Sequence, residues 1–165
     1  MSKFDWLVFF HILGVVLIAA GAGIGMATGI AMPRTTSVRA IGVMSGLAAR
    51  AEHYVTTPGA LLTLITGTWF IVDDTGEIYQ LFDISETWLW LSYIVWVVAA
   101  VLGEGVLARF HHRLHRQAKE LETQNVESSE DLRLAAAAPI GPIAGSTLTF
   151  LTLLFLYLMV FQPGR

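Results

Sequence analysis

The sequence predicts an all-α integral membrane bundle of four transmembrane helices, and three observations carry that reading. Only 14% of the 165 residues are charged, against about 25% in a soluble globular domain. The mean hydropathy is +0.62. The apolar residues also fall in four long blocks instead of being spread along the chain. The 10 basic and 13 acidic residues nearly balance, and there is no Cys. A disordered chain, a disulfide-framed secreted domain and a nucleic-acid binder with a basic face are thereby excluded.

A helix needs about 20 apolar residues to cross roughly 30 Å of hydrocarbon. Residues 6–32, 52–72, 87–108 and 140–161 qualify, within one domain covering 1–165. The first block contains a single ionisable residue, His11. It reads as a retained span and not as a cleaved signal, because its apolar stretch is too long and no polar stretch follows a small-residue site. The second is lengthened at its start by Glu52, His53 and Tyr54. The third contains only Glu104, and the fourth has no ionisable residue. Backbone groups cannot stay unpaired in lipid, and no block alternates like a barrel strand, so all four are expected to be helices.

The basic residues set an expected orientation. Arg34, Arg39 and Arg50 lie between spans one and two. Arg109, Arg113, Arg116, Lys119 and Arg133 lie between spans three and four. The connection between spans two and three has no basic residue, but carries Asp73, Asp74, Glu77, Asp83 and Glu86. The positive-inside rule puts the two basic connections in the cytoplasm of a bacterial cell and both termini outside. Trp6, Trp69, Trp88 and Trp90 then fall near the outer boundary, where an aromatic belt is expected.

Residues 36–50 place Val38, Ile41, Met44 and Leu47 or Ala48 at helical spacing. This reads as a cytoplasmic amphipathic helix, or as an extension of span two kinked at Pro58. Residues 109–133 read as a charged extension of span three followed by a polar loop, with Ser128 or Ser129 as a candidate N-cap. Four alanines, Ala135 to Ala138, lead past Pro139 and Pro142 into span four.

The strongest packing motif is Gly21, Gly25 and Gly29 in span one, since glycines four apart make a groove for another helix backbone. At 100° per residue His11, Gly14 and Ile18 fall within about 80° of that face, so His11 should point into protein. It is either a buried histidine satisfied by a Thr, a Tyr or a carbonyl, or a ligand to haem b or a metal. Span two offers a small and hydroxylated stripe of Thr56, Gly59, Thr63, Thr66 and Gly67, which reads as helix packing.

Ionisable groups gather at the inner ends. Glu104 lies some 25 Å from the outer end of span three, level with Glu52 and His53, and Arg50, Arg109 and His112 are near in sequence. A carboxylate at that depth is costly unless paired. The cluster reads as an ion pair locking spans two and three, or as a proton-handling or headgroup-binding site. His11 and His53 differ in depth by roughly 20 Å, too far to clamp one haem. His111, His112 and His115 have metal-ligand spacing, but the interleaved Arg109, Arg113 and Arg116 favour a basic helix at anionic headgroups.

The pieces FHILGVV around His11, AEHYVTTPGALLTLITGTWFIV in span two and the ending LYLMVFQPG resemble a bacterial family of predicted integral membrane proteins of unknown function (domain of unknown function 2269). That resemblance implies a four-helix architecture and no particular reaction. More remotely, the chain is similar to membrane protoporphyrinogen oxidases of the HemJ type and to CopD-like copper-resistance proteins, through His11, Thr57, Pro58, Gly67 and Trp69. The HemJ-type Lys in span three and Asn-Glu-Val-Pro entering span four have no counterpart here. What that likeness implies is a haem ligand at His11, not the oxidase activity.

The sequence thus points to a non-catalytic accessory or assembly subunit of a larger bacterial membrane complex, such as a respiratory one. Its partners would be membrane lipids and other membrane subunits or a second copy of itself, with no nucleic acid. A haem-binding redox protein with His11 as axial ligand is the alternative, and a small transporter is a third.

Overall fold

The computed structural model describes residues 2–72 and 86–163. The acidic residues Asp73, Asp74, Glu77 and Asp83 lie outside the described residues. Seven α-helices make up nearly all of the rest: α1 (Lys3–Ala31), α2 (Val38–Ala51), α3 (Thr57–Val72), α4 (Thr87–Leu102), α5 (Arg109–Thr123), α6 (Glu130–Ala136) and α7 (Ile140–Phe161). Helix α1 starts with a capping box: the Ser2 side chain accepts from the amide of Asp5, whose carboxylate accepts from the amide of Ser2. Both bonds satisfy amides that a helix start leaves orphaned.

Three helical stretches are long and apolar enough to cross a membrane: Lys3–Arg34, Thr87–Thr123 and Glu130–Phe161. By itself α3 has 16 residues, about 24 Å of helix. It continues α2 through a π-helical turn, Glu52–Thr56. A second π-helical turn, Gly103–Ala108, joins α4 to α5 in the same way. Pro58 accounts for the position of the first. Its ring cannot donate to the carbonyl of Tyr54 and crowds it, so the turn before it widens. The break expected at Pro58 therefore falls one turn earlier.

In the apolar part α1 lies along α3, α4 lies along α7, and α1 also meets α7. At the polar end α2 packs along α5, and α6 closes over them. Two buried clusters result. Met32, Val38, Ile41, Leu114, Ala118, Leu132 and Ala136 form one at the polar end, and Trp88, Leu89, Val95 and Leu158 form the other between α4 and α7. Of the expected belt, Trp6, Trp69 and Trp90 are exposed, but Trp88 is not. It fills the second cluster, because two faces of α4 separated by one residue place Trp90 outward and Trp88 against Leu158.

The spacing in residues 36–50 is a helix whose buried face holds Val38, Ile41 and Ala48, whereas Leu47 is exposed. The polar loop is shorter than the sequence suggests. Asn125, with φ 57°, ends α5 in a Schellman turn, the Val126 amide bonding the carbonyl of Leu121 at 3.0 Å. Ser129 then caps α6, accepting from the amide of Leu132. The 35–38 strip is tied to the same loop, Val38 donating to Glu127 at 3.0 Å and Ser129 to Thr36 at 2.9 Å.

Candidate functional site

His11 sits in the α1–α3 interface, its Nδ1 2.9 Å from Thr66 Oγ1. The Thr66 hydroxyl spends its hydrogen on the Leu62 carbonyl at 2.7 Å. The histidine must therefore donate, which fixes its proton on Nδ1. Its ring meets Phe70 edge-on at 5.7 Å. A Cβ on Gly67 would stand 3.3 Å from His11 Cε1, so that glycine makes room for the imidazole. Of the partners expected for a buried histidine, the structure supplies a threonine.

A macrocycle-sized ligand needs a pocket of at least about 300 Å³. Thr66, Gly67 and Phe70 fill the space around the imidazole, and the cavity between α3, α4 and α7 measures about 40 Å³. Among the described residues there is no room for a haem enclosed at His11. That small cavity is lined by Thr68 and Tyr93, whose hydroxyls bond at 2.9 Å.

The glycine face divides in two. Gly14 is buried against α3, where a Cβ would lie 2.9 Å from the amide of Thr63, and Gly21 against the π-helical turn before it, where a Cβ would run into the Thr56 hydroxyl. Gly59 and Thr63 supply the surface opposite Gly14, while Gly67 faces His11. Gly25 and Gly29 have nothing within 4 Å of where a Cβ would be. Among the described residues the groove expected along Gly21, Gly25 and Gly29 is filled at Gly21, by Thr56 of the π-helical turn, and open at Gly25 and Gly29.

The two π-helical turns face each other and hold the inner polar cluster. Glu104 is hydrogen-bonded to the Thr57 hydroxyl, which also bonds the Glu52 carbonyl oxygen at 2.9 Å. A Cβ on Gly103 would meet Glu52 Oε1 at 2.7 Å. Each glutamate thus reaches across to the other helix. The expected lock between an arginine and a carboxylate is absent among the described residues, where the ion pairs within 4.0 Å are Arg116–Glu120 and Arg133–Glu130. Arg50, His53 and Arg109 are exposed.

Sequence reasoning missed a second close approach, between α2 and α5. Gly42 and Gly46 are also four apart. His115 donates from Nδ1 to the Gly42 carbonyl oxygen at 2.8 Å, and Ala118 Cβ stands 3.0 Å from where a Cβ on Gly42 would be. The spacing was visible, but it lies in an amphipathic stretch outside the apolar blocks. His111, His112 and His115 diverge: His112 is exposed, while His111 is 4% exposed and its Nδ1 has no hydrogen-bond partner among the described residues. Burial, with the neighbouring His112, lowers the pKa of His111 to about 4. Among the described residues no three His, Cys, Asp or Glu converge as metal ligands.

Long helices with apolar outer faces, packed through glycines and back-bonded threonines, define an integral membrane protein. The chain belongs to the family of predicted integral membrane proteins DUF2269, whose model matches residues 5–163. No curated protein and no solved structure gives a significant match.

Proposed function

We propose that the chain is a four-span, non-catalytic accessory subunit that packs against another membrane protein in a bacterial cytoplasmic membrane. The observation that carries this is the open stretch of α1. Among the described residues nothing lies within 4 Å of where a Cβ on Gly25 or Gly29 would be, and Met26 and Ile30 beside them are exposed. A helix backbone that is smooth, apolar and uncovered at those positions suits the close approach of a second transmembrane helix. On this reading α3 and the π-helical turn before it, 16 and 5 residues, form the fourth span of roughly 30 Å. The α2–α5–α6 cap lies in the cytoplasm.

The test is affinity purification from membranes with Gly25→Leu and Gly29→Leu variants. A partner subunit, or a second copy, should co-purify with the wild type and be lost from both variants, while their melting temperatures stay unchanged. Retention of the partner in both variants would overturn the reading. An absorbance spectrum of the same preparation decides the alternative: a stoichiometric Soret band, lost in His11→Ala, would replace the accessory reading with a haem protein.

A further inference from the structure

At the polar end of the bundle the acidic and basic side chains part company. Glu52 lies over Gly103, and Glu104, itself exposed, is bonded to the Thr57 hydroxyl, so each carboxyl group is engaged on the neighbouring helix. Arg50, two residues before the first π-helical turn, is exposed. Arg109 and Arg113 follow the second, exposed on the side of α5 away from its buried His111, Leu114 and Ala118. None of these three guanidinium groups has a carboxylate within ion-pair distance among the described residues. Tyr54, 72% exposed, stands one turn from Arg50, and tyrosine is a residue of the headgroup level.

Guanidinium forks match phosphate oxygens two at a time, and their weak hydration lowers the cost of pairing. We infer that Arg50, Arg109 and Arg113 form a collar that binds the phosphates of anionic phospholipids where the helices leave the hydrocarbon. The inference rests on the four-span reading above, but not on the existence of a partner subunit. The lipid is the source to which the geometry points. Both arginine-bearing segments are direct continuations of apolar helices, α3 and α4, so a headgroup is already held at their depth.

The probe is spin-labelled phosphatidylglycerol against spin-labelled phosphatidylcholine around the reconstituted protein, read as the ratio of association constants. Each arginine near an anionic surface contributes about fivefold. The three together should give the wild type a preference for phosphatidylglycerol of up to about a hundredfold at low salt, and the preference should shrink at high salt. Arg50→Gln/Arg109→Gln/Arg113→Gln should bring the ratio close to one, whereas Arg116→Gln/Lys119→Gln should leave it unchanged. If the triple variant does not fold, Arg113→Gln alone should lower the ratio about fivefold. A wild type without preference, or a folded variant that keeps it, overturns the collar. So does inorganic phosphate that stabilises the protein in phosphatidylcholine as much as phosphatidylglycerol does. A protein that prefers phosphatidylglycerol but co-purifies nothing would remove the accessory reading and leave the collar standing.

Discussion

Gly14 and Gly59 occupy the space of each other's missing side chains. A Cβ on Gly14 would lie 2.8 Å from the carbonyl oxygen of Gly59, and a Cβ on Gly59 would lie 2.8 Å from the carbonyl oxygen of Gly14. Both obstacles are backbone, so neither can rotate away. The α1–α3 contact is thereby fixed here by two residues 45 positions apart in the chain.

Gly14→Ala should consequently destabilise the protein by about 1–3 kcal/mol, the usual cost of overpacking a close contact. Gly25→Ala, with open space around it, should fall within about 0.5 kcal/mol of wild type. Thermal unfolding in detergent measures both. Equal effects would mean that the two halves of α1 are packed alike.

The fold was legible where the signal is local and the structure needs nothing else. Ser129 was readable as a cap, and Val38, Ile41 and Ala48 as one face of a helix, because both follow from short spacings. Glycine spacing shows which face of α1 is smooth, but not how far along it a neighbour runs, which is why Gly21 and Gly25 look alike in sequence and differ in the fold. The π-helical turns leave no periodic trace. At the inner ends the glutamates take Thr57 and the space over Gly103, not the arginines. Those choices depend on how two distant segments meet.

His11 and Thr66 should be energetically coupled. A double-mutant cycle with His11→Ala and Thr66→Val should return about 0.5–1.5 kcal/mol. A value near zero would mean that the 2.9 Å contact contributes nothing beyond shape.

His111 should make the protein sensitive to mild acid. Its imidazole protonates at the ordinary value near 6.5 when unfolded and at about 4 when folded. Between those values the unfolded chain binds more protons, so stability falls as pH drops from 6.5 to 4 and levels off below. The loss should reach at most about 3 kcal/mol. Melting temperatures measured across pH 4–7 should show this slope in the wild type and a flatter one in His111→Leu. An unchanged slope in the variant would assign the effect to another group.

The orientation can be read with reporters. A fusion after Arg165 should report an outside location, and one inserted near Gln124 an inside location, since the basic connections flank that position. The reverse pair would invert the bundle and move the arginine collar to the other leaflet.

The antiparallel bridge between Ser37 and Ser128 has a consequence in time. The strip after α1 pairs with a segment synthesised about ninety residues later. At 5–20 residues per second, its partner arrives roughly 5–20 s after it. During that interval α1 and α3 can already hold each other through Gly14 and Gly59, while Thr36 and Val38 wait with open backbone groups. A nascent chain arrested after α3 should therefore show the first helix pair assembled and the 35–38 strip still open to protease. Release of the arrested chain through residue 136 should close it.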